Sequence, residues 1–223
     1  YTGIIGCTDQ DLDGTGKILP LVMVFIFTFW PNLIRCGFFK KFMTPVIRAY
    51  PKRGKSRAIV FYYEKEFNDW CTRNDSTMYN IRYYKGLASH EPKEVSEVFG
   101  DFRNLVYTFT ADDVTSELFE IYYGPDANLR KEVLKTPVDY ALICDAENQT
   151  ISCNTQLNVD SKAYKLEAIR RQIPHAIDGL KPAMRKIVCG SMRLAAQNNK
   201  ERKVFQLGGS IAENEFYHHG DES

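Results

Sequence analysis

The alternation of apolar and polar positions changes period several times along the chain. Thr2 to Thr8 (TGIIGCT) is a short apolar run ending in polar residues, which predicts a buried strand that feeds a loop, Asp9 to Lys17 (DQDLDGTGK). Ile18 to Trp30 is apolar nearly all round, predicting a helix buried on every side and ended by Pro31. Phe42 to Ala49 and Ala58 to Tyr63 read as two strands of a hairpin about the basic turn Lys52 to Arg57. A short amphipathic helix is predicted over Glu64 to Cys71 and a strand over Tyr79 to Tyr84. After the turn Lys85 to Ser89 comes a helix from Glu91 to Phe99 with Pro92 in its first turn, then a strand, Leu105 to Phe109. Strands alternating with helices indicate a layered α/β sheet.

Beyond Thr110 the pattern becomes helical, with segments at Asp112 to Tyr123 and Ala127 to Leu134, then Ser161 to Ile173, Ala183 to Gln197 and Val204 to Phe216. The reading divides the chain into an α/β region with trailing helices (1–135), a linker (136–159) and a mainly α region (160–223).

Composition narrows the function classes. Hydrophobic content of 44% and charged content of 26% exclude wholesale disorder and low-complexity classes. The twelve-residue apolar run Leu19 to Trp30 is too short for a membrane span, so no membrane partner is expected. A formal charge of +1 conceals an asymmetry: residues 160–206 hold eleven Lys or Arg against four acids, a surplus of 7 in 47 residues, whereas residues 1–159 hold 18 basic and 20 acidic. Such a basic segment points toward nucleic acid, or else is the solvated face of helices. Six scattered cysteines with no CxxC spacing suggest neither a zinc site nor a disulfide framework, and fit an intracellular protein. The opening at Tyr1 without Met or leader reads as an internal piece of a longer chain.

The loop carries the chemistry. If it is extended, Asp9, Asp11 and Asp13 face the same way and their carboxylates converge. Carboxylates so placed repel one another unless a cation sits among them, and hard oxygen donors at a small site favour Mg²⁺ or Mn²⁺. A calcium loop also begins DxDxDG but needs an acid at its twelfth position, which is Pro20 here. The remaining alternative is a polar turn in which an aspartate caps the following helix. Lys85, beside Gly86 at a strand end, can reach a phosphate or a neighbouring carboxylate, or is a surface turn lysine.

Four segments, in this order and spacing, closely resemble type IIA DNA topoisomerases of the eukaryotic and large-DNA-virus branch. They are TDQDLDG at 8–14, YYKGL at 83–87, IPHAIDGLKPAMRK at 173–186 and QLGGSIAENEFYHHG at 206–220. The resemblance implies part of an α/β TOPRIM domain with a Rossmann-like parallel sheet, followed by the start of a winged-helix DNA-gate domain. It implies a homodimer that uses ATP, cuts both strands of a DNA duplex through a 5′-phosphotyrosine with Mg²⁺ assistance, passes a second duplex and reseals the first. Asp9, Asp11 and Asp13 match the family's metal-binding acids, Asp9 and Lys85 its catalytic positions, and Lys181, Arg185 and Lys186 its DNA path, with His218 and His219 as further candidates. The nucleophilic tyrosine and a fourth acid are expected outside these residues. In a cell such an enzyme is expected in the nucleus, and for a virus in host cytoplasm or nucleus.

Two positions depart from the family pattern: Ala88-Ser89 follows Lys-Gly-Leu where Gly-Thr is usual, and Gly16 stands where a His is common. The rivals are another TOPRIM enzyme, such as a primase or nuclease, which shares the acidic loop but lacks the IDGLKP and YHHG segments, and a non-catalytic DNA-binding module.

Overall fold

A computed structural model describes residues 1–54, 57–84, 86, 89–142, 149–197, 200–215 and 217. The chain divides into two compact units, 1–165 and 166–223.

In the first unit, the apolar run of Thr2 to Thr8 yields strand β1 (Ile4–Gly6), which pairs in parallel with β2 (Phe39–Phe42). Strand β2 pairs antiparallel with β6 (Val106–Thr110), and β6 pairs in parallel with β7 (Thr150–Ser152), so the sheet order is β1-β2-β6-β7. The α/β fold with parallel strand pairing that the resemblance implies is present in β1–β2 and β6–β7, and one antiparallel pairing, β2–β6, joins the two parallel pairs. A second, wholly antiparallel sheet has the order β4-β3-β5, from β3 (Ile47–Pro51), β4 (Ile59–Phe61) and β5 (Tyr79–Tyr83). The hairpin of β3 and β4 follows the predicted turn, but Phe42 belongs to β2, whose FKKF sequence has no apolar alternation to announce a strand.

Helices α1 (Leu19–Phe29), α2 (Pro31–Arg35), α5 (Thr115–Tyr123) and α6 (Ala127–Leu134) belong with the first sheet and α3 (Glu64–Arg73) with the second, while α4 (Pro92–Gly100) meets both, Val98 packing with Phe42 of β2 and Glu94 bonding Tyr50 of β3. One core joins Leu19, Met23 and Ile26 of α1 to Phe39, Phe109, Phe119, Tyr122 and Ile151, with Phe39 and Phe109 stacked at 5.3 Å. Each such side chain contributes about 1.5–3 kcal/mol on burial. A second core packs Ile47, Ala49 and Phe61 against Phe67 of α3.

Helix α1 is not buried all round. Leu19, Met23 and Ile26 face the core, whereas Leu21, Val22, Phe25 and Phe29 lie on an exposed face, Phe25 at 56% and Phe29 at 61%. Uniform apolarity predicts burial on every side, but among the described residues only one side has elements packed on it.

Residues 136–159, read as a linker, hold β7, the turn α7 (Cys153–Thr155) and the start of the π-helical stretch Gln156–Ser161. Ile151, Cys153, Leu157 and Val159 are buried, so this stretch is integral to the first unit wherever it is described. Polar residues in it are themselves buried, Thr155 and Gln156 among them, so its packing is hidden from a reading based on hydrophobicity. Helix α8 (Lys162–Gln172) runs across the boundary of the units, and the second unit continues with α9 (Pro182–Gln197) and α10 (Val204–Asn214), whose Gly208 and Gly209 are accommodated within the helix. No helix among the described residues is long and apolar enough to cross a membrane.

Candidate metal and DNA sites

The chain after β1 does not stay extended. It bends at Asp11 and is helical from Leu12, passing through a π-helical turn (Gly14–Ile18) into α1. Asp11 Oδ1 accepts the Gly14 N–H at 2.7 Å, and its carbonyl accepts the Thr15 N–H and hydroxyl. Asp11 thus caps the helix, the role open to one of the three acids. Asp13 has helical dihedrals (φ −72°, ψ −43°), so its side chain no longer alternates in step with Asp9 and Asp11. Among the described residues no three His, Cys, Asp or Glu side chains form a metal-holding group. The convergence of three carboxylates expected from spacing is therefore absent, because capping turns the backbone before Asp13.

Asp9 remains exposed and meets the second motif. A Cβ added at Gly86 would lie 2.8 Å from Asp9 Cγ and from both carboxylate oxygens, so the bare glycine forms a cradle for this group. The turn is closed by Ser89, whose N–H donates to Gly86 carbonyl oxygen at 3.0 Å and whose hydroxyl donates to the same oxygen at 2.5 Å. The hydroxyl retained by Ser89 in place of the usual Thr is used here. Lys85, His218 and His219 lie outside the described residues.

Gly16 also has a structural reason. A Cβ there would stand 2.4 Å from the Asp160 carbonyl oxygen and 2.5 Å from Tyr164 Cβ, leaving no room for the common His. The same stretch braces the loop elsewhere: Gln156, fully buried, donates Nε2–H to Thr15 carbonyl oxygen at 2.6 Å, and Asp160 pairs with the fully buried Lys41 of β2 at 3.1 Å. Neither Lys41 nor Gln156 stands out in the sequence, since FKKF and NTQLN carry no motif.

Beside the Gly86 turn, Glu94 of α4 is buried at 5% exposure. Its Oε1 accepts the hydroxyls of Tyr50 (2.5 Å) and Tyr84, its Oε2 accepts the Glu91 N–H at 2.7 Å, and Arg82 Nη1 lies 3.6 Å from Oε1. Burial pushes its pKa up, but these donors and Arg82 outweigh burial and bring it down to about 2. His90 stacks on Tyr84 at 4.1 Å, and burial pushes its pKa down despite the nearby Glu94 carboxylate.

In the second unit, the IDGLKP segment folds as a locked turn. Asp178 accepts the Leu180 N–H at 3.0 Å and a two-pronged contact from Arg185, Nε at 2.8 Å and Nη2 at 2.9 Å, while Gly179 takes φ +66°. The Arg185 guanidinium and the Leu180 N–H hold the Asp178 carboxyl below the ordinary carboxylate range. Lys181 immediately precedes α9, whose first residue is Pro182, and Lys186 is exposed on its second turn. Sequence thus places Lys181, Arg185 and Lys186 together at one helix opening, and the structure adds the Asp178 partner of Arg185.

The chain as a whole is similar to known proteins. The family model described as the C-terminal associated domain of TOPRIM matches residues 42–166, and the DNA gyrase/topoisomerase IV family model matches residues 171–223. The chain belongs to the TOPRIM-associated family. Within that class it is similar over its whole length to segments of type II topoisomerases. "DNA topoisomerase 2" of African swine fever virus (strain Badajoz 1971 Vero-adapted) is 49% identical over 230 residues, 100% of this chain and 19% of that protein. The mitochondrial DNA topoisomerase 2 of Dictyostelium discoideum is 34% identical over 227 residues, 100% of this chain and 17% of that protein. The chain thus spans about a fifth of these relatives. The crystal structure of the Plasmodium falciparum topoisomerase II DNA-binding, cleavage and re-ligation domain superposes with a TM-score of 0.78 at 27% identity, covering 100% of this chain and 30% of that one.

Proposed function

We propose that this chain is the metal-binding and DNA-gate-entry segment of an ATP-dependent, homodimeric type II DNA topoisomerase. The observation that carries the reading is the meeting of two separated motifs, Asp9 set against Gly86, within a chain similar along its length to such enzymes. A primase or nuclease is disfavoured because the second unit matches the gyrase/topoisomerase IV model over residues 171–223. A DNA-binding module without catalysis would have no use for an exposed carboxylate held in a cradle. A DNA substrate places the activity inside the cell, nuclear for a cellular source.

The donor set fits Mg²⁺ or Mn²⁺, which are bound through one or two carboxylates with waters completing the shell. Asp9 offers a cradled, exposed carboxylate, Asp11 a capping carboxylate with one oxygen left over, and Asp13 a third acid two residues on. A bound ion there would offset charge developing on phosphate oxygens during strand cleavage and rejoining. Lys85 would supply a cation to the same phosphate. Asp11→Asn tests the assignment. Asparagine also caps helices, so the fold should keep its melting temperature, while Mg²⁺-supported DNA cleavage by a full-length enzyme carrying this segment should fall at least about a hundredfold. Cleavage at the wild-type rate would remove Asp11 from the metal site.

Lys181, Arg185 and Lys186, with His218 and His219 further on, would hold the DNA backbone without reading sequence. Arg185→Ala is expected to weaken duplex binding to the same degree on unrelated sequences and to lower the salt slope of log Kd by about one, as loss of one phosphate contact does. Fluorescence anisotropy at several salt concentrations measures both; a loss confined to one sequence would mean base readout.

A further inference from the structure

The Glu94 cluster is absorbed by none of the roles above. A buried carboxylate that gathers two tyrosine hydroxyls and a backbone N–H is a costly construction, since apolar residues of similar volume usually serve stability as well. What it accomplishes is geometric. Tyr50 comes from β3 and Glu94 from the first turn of α4, and Tyr84 directly follows β5, two residues before Gly86. Tyr84 is held from three directions: its N–H donates to Val46 carbonyl oxygen at 2.9 Å, its hydroxyl donates to Glu94, and its ring is stacked by His90. Arg82 reinforces the arrangement by bonding Glu91 Oε1 at 2.6 Å with its guanidinium carbon 5.4 Å above the Tyr84 ring. Gly86, the next described residue, is the surface on which the Asp9 carboxylate rests.

We propose that Glu94, acting through Tyr84, is a positioning residue that fixes the Gly86 turn and thereby the orientation of the Asp9 carboxylate toward a divalent cation. The inference rests on the metal reading of Asp9. Glu94 touches neither cation nor DNA; its effect passes through the strand end and the cradle. Groups that orient a ligand in this way typically change metal affinity about 10–100-fold when lost.

The test is Mn²⁺ affinity, measured by calorimetric titration without DNA or nucleotide on a full-length enzyme carrying this segment. Tyr84→Phe keeps the ring and removes only the hydroxyl, so it reads the same link with less cost to the buried cluster than Glu94→Gln. Both variants are expected to weaken Mn²⁺ binding by about tenfold. Tyr50→Phe removes an equivalent donor to the same Glu94 oxygen, along with a long 3.4 Å contact to the Tyr84 hydroxyl, but has no chain connection to the turn and leaves the Tyr84–Glu94 bond in place. It should cost similar thermal stability while changing Mn²⁺ affinity less than about threefold, a split that a merely structural role does not produce. Equal losses of affinity in Tyr50→Phe and Tyr84→Phe would overturn the inference. So would an unchanged affinity in Tyr84→Phe and Glu94→Gln when Asp9→Asn abolishes binding, an outcome that leaves the metal reading standing. If Asp9→Asn itself binds Mn²⁺ like the wild type, the metal reading fails and this inference fails with it.

Discussion

Gly86→Ala is expected to lower Mg²⁺-supported DNA cleavage about a hundredfold in a full-length enzyme carrying this segment, because displacing a reacting group by about 1 Å can cost that much. The added methyl would stand 2.8 Å from the carboxylate carbon and both oxygens of Asp9, closer than side-chain contacts tolerate. Something must move, and the exposed Asp9 carboxylate is the group the methyl displaces. The fold therefore has little to lose, since the methyl displaces a solvated group and opens no cavity. The expected result is a separation of effects: cleavage falls steeply, DNA binding stays within about twofold and the melting temperature moves by only a few degrees. Single-turnover cleavage at saturating DNA, with a thermal scan of the same sample, measures both. A variant that cleaves normally would show that Asp9 does its work from another orientation.

The contact behind this prediction is only partly legible in the sequence. Both motifs stand out, DQDLDG by its alternating acids and YYKGL by its glycine after a strand, but their meeting depends on the fold of the 72 residues between Asp13 and Gly86. Alternation also misleads on local geometry. It predicts an extended segment with three convergent acids, whereas Asp11 competes for the Gly14 N–H and starts a helix. The capping reading contains the right physics for Asp11, and what it cannot supply is the cradle for Asp9. Helix α1 shows a different limit. Its apolar residues establish a helix, but a run apolar on all sides does not say which side is covered, and only Leu19, Met23 and Ile26 turn to the core. Glu94 reads as one more solvated acid in PKEVSEVFG, and it is buried because Tyr50 of β3 and Tyr84, just past β5, close over it. Charge chemistry of this kind is set by long-range packing, so the residue type alone carries no sign of it.

The same reasoning makes Asp160→Asn the largest expected stability change. Lys41 lies in the central part of β2 with its side chain fully buried, and its ammonium sits 3.1 Å from the Asp160 carboxylate, itself 13% exposed. Bringing two charges out of water costs several kcal/mol for each ion, which their attraction repays only while both are present. Asparagine keeps the shape and removes the countercharge, leaving an ammonium stranded beneath the acidic loop. Breaking such a pair from one side typically costs about 3–5 kcal/mol. At about 2–4 °C per kcal/mol for a unit of this size, the melting temperature should fall by roughly 10 °C. Lys41→Met in the Asp160→Asn background supplies the control. With both charges gone and the alkyl stem retained, most of the lost stability should return, because the destabilisation comes from the unpaired charge. Urea unfolding of the wild type, Asp160→Asn and the double variant reads this directly. If the double variant is no more stable than Asp160→Asn, the attachment of the 156–164 stretch to the acidic loop is governed by the Gln156 bond to Thr15 and the close packing on Gly16, with the ion pair a bystander.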